Sequence, residues 1–202
     1  MFALIEAAGW PIWPLLIASV ISLAIIGERG WSLRSTIVAP KDLLNQVVQE
    51  YRQHGATSQL LTRLGSASAL GQILGAGLKN AKNSPQVIKE ALDDAGRAVA
   101  HDLERFLNTL GTIASISPLL GLLGTVIGMI EIFGSQAPSG SNPIVLAHGI
   151  SVALYNTAMG LIVAIPSMIF YRYFRGRVDS LIVEMESQAV QLVEILHGER
   201  QS

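Results

Sequence analysis

Two long uncharged stretches joined by a short uncharged turn constrain this chain of 202 residues more than any other feature. The stretches cover residues 107–130 and 143–171, and the turn over residues 134–143 is rich in Gly, Pro and Ser. Each stretch exceeds the roughly 20 residues that cross a hydrocarbon core about 30 Å thick. We therefore predict two membrane spans that form a hairpin.

A third apolar stretch covers residues 7–26 near the N-terminus. It is too long for the apolar region of a signal peptide, and Glu28 and Arg29 follow it without a small-residue cleavage site. We interpret it as an uncleaved first span. The chain is thereby divided into a short N-terminus, a long loop, the hairpin turn and a C-terminal tail.

The basic residues predict how these spans are oriented. All 14 Lys and Arg lie either in the loop over residues 27–106 or in the tail over residues 172–202. Basic residues beside a span mark its cytoplasmic end. Because Arg29, Arg105 and Arg172 flank the spans, we expect the loop and tail to be cytoplasmic and the N-terminus and turn to lie on the opposite, outer side of the membrane.

The predicted fold class is an all-α integral membrane protein with two long helices that extend into the cytoplasm. From Pro85 onward, apolar residues recur every three or four positions up to Leu110, which predicts one helix running straight into the second span. The predicted segments are a periplasmic N-terminus (1–8), span 1 (9–26), a cytoplasmic helical domain (27–106), span 2 (107–133), a periplasmic turn (134–143), span 3 (144–171) and a cytoplasmic helix (172–202).

The tail carries a heptad seam of apolar residues. Its members are spaced by four and three residues in alternation: Val178, Ile182, Met185, Ala189, Leu192 and Leu196. The seam packs within the chain against residues 88–106, or it forms an interface between subunits, or it does both. A lone subunit cannot bury all of these apolar faces, so we expect a homo-oligomer.

Small residues and prolines mark the surfaces where the spans are expected to pack. Small side chains let membrane helices approach closely, and a proline inside a helix bends it. The candidate helix-packing residues are Gly121, Gly124, Gly128, Gly160, Pro118 and Pro166.

Polar residues inside the spans are the candidates for function, because polar groups that face lipid are costly. Thr125, Ser151, Asn156 and Thr157 are the candidate pore-lining residues. The simple alternative for a membrane threonine is a bond to the carbonyl of its own preceding turn. Asn156 has no such easy partner, so it favours a surface that faces protein or water.

The sequence shows no sign of an enzyme, a metal site or a nucleic-acid site. Cysteine is absent, the four histidines are scattered, and no nucleotide-binding loop, zinc-protease motif or nucleophile elbow occurs. No basic cluster is interleaved with aromatic residues, as nucleic-acid binding would favour. We expect no cofactor, and the partners are membrane lipids and other membrane proteins.

Residues 110–129 resemble the second span of ExbB-type subunits in the MotA/TolQ/ExbB family. Residues 158–166 resemble the third span, and residues 9–16 resemble the first. The resemblance implies a pentamer in the bacterial inner membrane whose pore holds the helices of an ExbD dimer. Proton flow would drive a motion that is passed to TonB and powers outer-membrane import of iron siderophores, haem or vitamin B12. MotA fits less well because it has four spans.

The resemblance also assigns residues. Thr125 and Thr157 match the two pore threonines of the family, whose proton carrier is an aspartate on ExbD. Val152 occupies the place where the family usually has a glutamate. Either that glutamate is dispensable, or Ser151, Asn156 and water replace it, or coupling is altered. The alternatives to an ExbB role are a TolQ-like subunit of the Tol-Pal envelope system and a non-conducting membrane scaffold.

Overall fold

The computed structural model describes residues 10–134 and 143–196, and that part of the chain is entirely helical. Residues 1–8 and 135–142, predicted to be periplasmic, lie outside the described residues. The helices are α1 (Ile12–Ser32), α2 (Ser35–Val38), α3 (Leu43–His54), α4 (Ser58–Ala67), α5 (Ala69–Lys79), α6 (Pro85–Leu103), α7 (Leu107–Gly134) and α8 (Pro143–Leu196).

Three helical stretches are long and apolar enough to cross a membrane. They cover Ile12–Ser32, Pro85–Gly134 and Gly149–Leu196. The prediction of a helical fold with three candidate membrane-spanning helices is confirmed for the described residues.

The expected single helix from Pro85 into the second span is instead interrupted. Helix α6 ends at Leu103, α7 begins at Leu107, and Phe106 between them has a φ of 64°. A left-handed residue ends a helix because it redirects the backbone away from the helical hydrogen bonds. Glycine normally fills such a position, so a phenylalanine there gave no sequence signal.

The chain divides into two compact units, which we describe separately. The apolar unit comprises the described residues 10–28, 106–134 and 143–173, and the charged unit comprises residues 29–105 and 174–196. Helices α1 and α8 contribute residues to both units. Most residues of the three apolar stretches predicted as spans lie in the apolar unit.

Short helices with defined starts build the charged unit. The Thr57 hydroxyl accepts a hydrogen bond from the Leu60 N–H and starts α4, and the Ser68 hydroxyl accepts one from the Gly71 N–H and starts α5. Such caps satisfy N–H groups that the first turn leaves without helical partners. Gly55, with a φ of 71°, ends α3.

The core of the charged unit is leucine-rich and includes the tail seam. Val178, Met185 and Leu192 of α8 are at most 1% exposed. A methyl group at Gly77 of α5 would lie 2.9 Å from a Leu92 methyl and 3.1 Å from a Leu192 methyl, so these helices are in close contact. Burial of such a leucine side chain stabilises the fold by about 1.5–3 kcal/mol. Much of the seam therefore packs within the chain.

A buried arginine lies near one end of this core. The Arg29 side chain is 6% exposed, and its guanidinium donates a hydrogen bond of 3.3 Å to the carbonyl oxygen of Leu103. Leu103 is the last residue of α6, where carbonyl groups lack helical partners and carry partial negative charge. Beside it, Arg175 forms an ion pair of 3.2 Å with Glu104.

Candidate proton-pathway site

Glycines bring α7 and α8 into backbone contact within the apolar unit. A methyl group at Gly121 would lie 2.7 Å from the carbonyl oxygen of Asn156, and one at Gly160 would lie 2.5 Å from that of Ser117. A methyl group at Gly128 would lie 3.2 Å from the Ala153 Cβ atom. Larger side chains at these positions would push the helices apart, so the small residues set the interhelical distance.

Two hydroxyl groups meet at this contact. The Thr125 Oγ1 atom lies 2.6 Å from the Thr157 Oγ1 atom, and both side chains are partly buried. The Thr125 Oγ1 atom also lies 3.1 Å from the carbonyl oxygen of Ala153 in α8 and 3.2 Å from that of Gly121 in its own helix. The simple alternative of a bond within one helix therefore does not describe Thr125, which bridges both helices.

The structure places Asn156 inside the apolar unit. Its residue is 2% exposed, and a methyl group at Gly124 would lie 2.8 Å from the Asn156 Cβ atom and 3.0 Å from its Nδ2 atom. The neighbouring Thr157 is partly exposed. Asn156 is thus buried against α7, in the space that Gly124 leaves open.

Ser151 and Val152 lie one to two turns before Thr157 in α8 and differ in exposure. Ser151 is exposed, and its hydroxyl donates to the carbonyl of Ala147 at 3.0 Å, within the same helix. Val152 is half-buried, and its side chain has no protonatable group. The structure brings Thr125 and Thr157 together but does not bring Ser151 into their hydrogen bonds.

The two prolines predicted to mark helix packing lie within helices. Pro118 lies inside α7 and Pro166 inside α8, and neither ends its helix. Each proline lacks the N–H group that would bond the carbonyl of the preceding turn. Ser117 and Ser167, which adjoin the prolines, are at most 1% exposed.

Sequence reasoning did not find a second hydroxyl pair, which joins α1 to α8. Ser22 Oγ lies 2.6 Å from Ser167 Oγ, and Ser22 is 3% exposed. The Ser167 hydroxyl also contacts the carbonyl oxygen of Val163 at 2.6 Å. The only available signal was a polar residue in each of two otherwise apolar turns, which gives no indication that the two face each other.

A third polar surface lies on α7 before the proline. Asn108, Thr112 and Ser115 line an open groove of about 480 Å³ together with Tyr171 of α8. The Thr112 hydroxyl donates to the carbonyl of Asn108 at 2.8 Å, and that of Ser115 to the carbonyl of Gly111 at 2.9 Å. Unlike Thr125, these hydroxyl groups bond carbonyl groups of their own helix and, among the described residues, of no other helix.

Ionisable groups are scarce around the threonine pair. Residues 107–130 and 143–171 contain no Asp, Glu, Lys or Arg. Within the described residues no group of three or more His, Asp or Glu could hold a metal ion. The atoms that contact the Thr125 hydroxyl are the hydroxyl oxygen of Thr157 and the backbone carbonyl oxygens of Gly121 and Ala153, none of which carries a formal charge.

A family model described as the MotA/TolQ/ExbB proton channel family matches residues 65–187. The chain belongs to this family. The match covers α7, the threonine pair and the apolar part of α8, so the resemblance stated from the sequence is confirmed. The family is one of membrane proton channels and not of enzymes.

Family relatives include both ExbB and TolQ proteins. The chain is 34% identical to the biopolymer transport protein ExbB-like 3 of Synechocystis over 89% of this chain and 88% of that protein. It is 33% identical to the biopolymer transport protein exbB1 of Vibrio cholerae over 81% of this chain and 74% of that protein. It is also 33% identical to the Tol-Pal system protein TolQ of Pseudomonas aeruginosa over 91% of this chain and 84% of that protein.

Proposed function

We propose that the protein is the ExbB-type subunit of an energiser driven by the proton-motive force in the bacterial inner membrane. The observation that carries the proposal is the Thr125–Thr157 hydroxyl pair, 2.6 Å apart and lying within two apolar stretches, residues 107–130 and 143–171, that contain no Asp or Glu. Such a pair supplies hydrogen bonds for a proton path but no proton carrier, so the carrier belongs to a partner helix.

In this proposal the partner is an ExbD-like single-span subunit, present as a dimer in the pore of a homo-oligomer. A carboxyl group on the partner takes up and releases protons beside the threonine pair. The resulting motion is passed to a TonB-like protein and powers outer-membrane import. Pentameric stoichiometry follows the family resemblance.

The proposed orientation places the N-terminus in the periplasm and the loop and tail in the cytoplasm. It is supported by the basic residues, all 14 of which lie in the loop or tail. Trp10 and Trp13 are 62% and 60% exposed at the opposite end of α1 from Arg29. Exposed tryptophans at the end of a span favour the membrane interface.

The first experiment is native mass spectrometry of the protein expressed with and without the ExbD-like chain encoded in the same genome. A pentamer that retains two partner chains is the expected result. A stable assembly that never takes up a partner would contradict the energiser and favour the scaffold, in which Val152 marks lost coupling.

A TolQ-like role is the second candidate, favoured by the TolQ relative that is matched over 91% of this chain. The two roles share the proton path and differ in the process that is powered. Deletion of the gene separates them, because failure to grow when iron is scarce indicates ExbB and sensitivity to detergent indicates TolQ.

A further inference from the structure

The hydrogen-bond distances around Thr125 indicate which atoms receive its hydroxyl proton. A threonine hydroxyl has one proton to donate and two lone pairs that accept. Thr125 Oγ1 has three oxygen neighbours, at 2.6, 3.1 and 3.2 Å. The carbonyl oxygens of Gly121 and Ala153 can only accept hydrogen bonds. The hydroxyl proton of Thr125 is therefore the one that is donated to them.

The number of available protons decides which of the two threonines donates the hydrogen bond between them. When the Thr125 proton is shared between the two carbonyl oxygens, the 2.6 Å contact requires Thr157 to donate to Thr125. The Thr157 proton is then committed to Thr125. What remains on the Thr157 oxygen is a pair of acceptor sites and no donor.

The opposite direction has fewer bonds within the chain. If Thr125 donated to Thr157, the Ala153 and Gly121 carbonyls would lose their hydrogen bond from Thr125. The Thr157 proton could then be donated to a group outside this pair. In a low-dielectric interior, the arrangement in which more acceptor atoms receive a hydrogen bond is favoured. The backbone of α8 at Ala153 therefore biases the hydroxyl of Thr157, one helical turn further along.

We infer that Thr125 is a positioning residue that makes Thr157 a hydrogen-bond acceptor, so that the site binds a carboxyl group of a partner helix in its protonated form. A neutral carboxylic acid has an O–H group to donate, whereas a carboxylate has only acceptors. The inference rests on the proposed function, because the partner acid comes from the proposed complex. The acid releases its proton to water and becomes a carboxylate, to which Thr157 can donate only after both hydroxyls rotate; neither hydroxyl gains or loses a proton.

Three other hydroxyl groups of α7 and α8 do not share this geometry. Those of Thr112, Ser115 and Ser151 each donate to the carbonyl of the residue four positions earlier. None of these bonds reaches the other helix or orders a second hydroxyl. Thr112→Val is therefore a matched control for Thr125→Val, since it removes the same group from the same helix.

The test uses the full-length protein co-purified with its ExbD-like partner and reconstituted in liposomes. The reagent dicyclohexylcarbodiimide modifies carboxyl groups in their protonated form, so labelling of the partner acid as a function of pH reports its protonation. With Thr125→Val, Thr157 is free to donate to the carboxylate, and hydrogen bonds to the charged form favour it. We expect the pH of half-labelling to fall by about one unit, a tenfold change in the protonation equilibrium.

Three matched variants make the result decisive. Thr125→Ser keeps the hydroxyl and Thr112→Val leaves the pair intact, so both should keep the wild-type midpoint. Thr125→Ala replaces Thr125→Val if the valine variant loses its partner chain. An unchanged or higher midpoint in the variant without the hydroxyl, in an intact complex, would overturn the inference.

Failure of the proposed function gives a different result. In that case the wild-type protein retains no partner chain, or labelling of the partner leaves proton uptake by the liposomes unchanged. If the wild-type complex forms and labelling blocks proton uptake, an unmoved midpoint in Thr125→Val contradicts only the role of Thr125.

Discussion

Gly160 of α8 faces the backbone of α7 at Ser117, and a methyl group at position 160 would lie 2.5 Å from the Ser117 carbonyl oxygen. It would also lie 3.1 Å from the Gly121 Cα atom. Both neighbours are backbone atoms, so neither can move aside by changing a side-chain rotamer. The helix pair that carries the threonines therefore depends on the absence of a side chain at this position.

We expect Gly160→Ala to destabilise the apolar unit by about 1–3 kcal/mol, the usual cost of overpacking a tight contact. The measurement is the thermal unfolding midpoint of the purified protein in detergent. Gly176→Ala is the matched control in the same helix, because nothing lies within 4 Å of a methyl group there. Equal midpoints for the two variants would show that the close approach does not limit stability.

The serine pair between α1 and α8 supports a smaller prediction. Removing the Ser167 hydroxyl breaks its 2.6 Å contact with Ser22. Cross-helix hydrogen bonds in membranes contribute about 0.6 kcal/mol on average, so Ser167→Ala should lower stability by roughly that amount. A double-mutant cycle with Ser22→Ala measures the coupling, and additive effects of the two changes would mean that the contact is energetically silent.

Arg29 should matter more than an exposed arginine of the same charged unit. Its guanidinium is buried and donates to the terminal carbonyl of α6, and hydrogen bonds from charged groups contribute about 1.5–3 kcal/mol. We therefore expect Arg29→Gln to lower the unfolding midpoint clearly. Arg97→Gln is the control, since Arg97 and its partner Asp94 are 75% and 76% exposed. A midpoint for Arg29→Gln that matches the control would contradict an anchoring role.

The sequence predicts the candidate spans because membrane insertion depends on the composition of a segment of about 20 residues, not on single contacts. A stretch without charge, such as residues 107–130, has few alternatives to a membrane helix. The close approach of α7 and α8 was also readable, since small residues recur at helical spacing around Gly121 and Gly160.

Contacts that depend on which side chains meet across helices could not be read from the sequence. The Ser22–Ser167 pair joins residues that are 145 positions apart, and neither stands in a motif. The turn at Phe106 is a local exception to residue preference, because phenylalanine rarely adopts a left-handed conformation. The Ala153 carbonyl is a backbone group, so no pattern of side chains in the sequence indicates its contact with Thr125.

Thr157→Val is the sharpest test of the site. Valine has nearly the same shape as threonine, so the fit of the two helices is kept while the 2.6 Å contact with Thr125 is lost. We expect assembly with the partner chain to persist and uptake driven by the proton-motive force to fall more than tenfold. The loss follows because a partner carboxyl group would face a hydrocarbon surface without a hydrogen-bond partner.

Growth on an iron-siderophore complex, with the complex quantified by native mass spectrometry, measures both quantities for Thr157→Val. Thr112→Val is the control, because it makes the same chemical change, the Thr112 hydroxyl bonds the Asn108 carbonyl of its own helix, and its loss should leave uptake unchanged. Full uptake in Thr157→Val would show that the threonine pair is a packing contact and that protons take another route. A loss of uptake that equals the loss of assembled complex would assign Thr157 to stability alone.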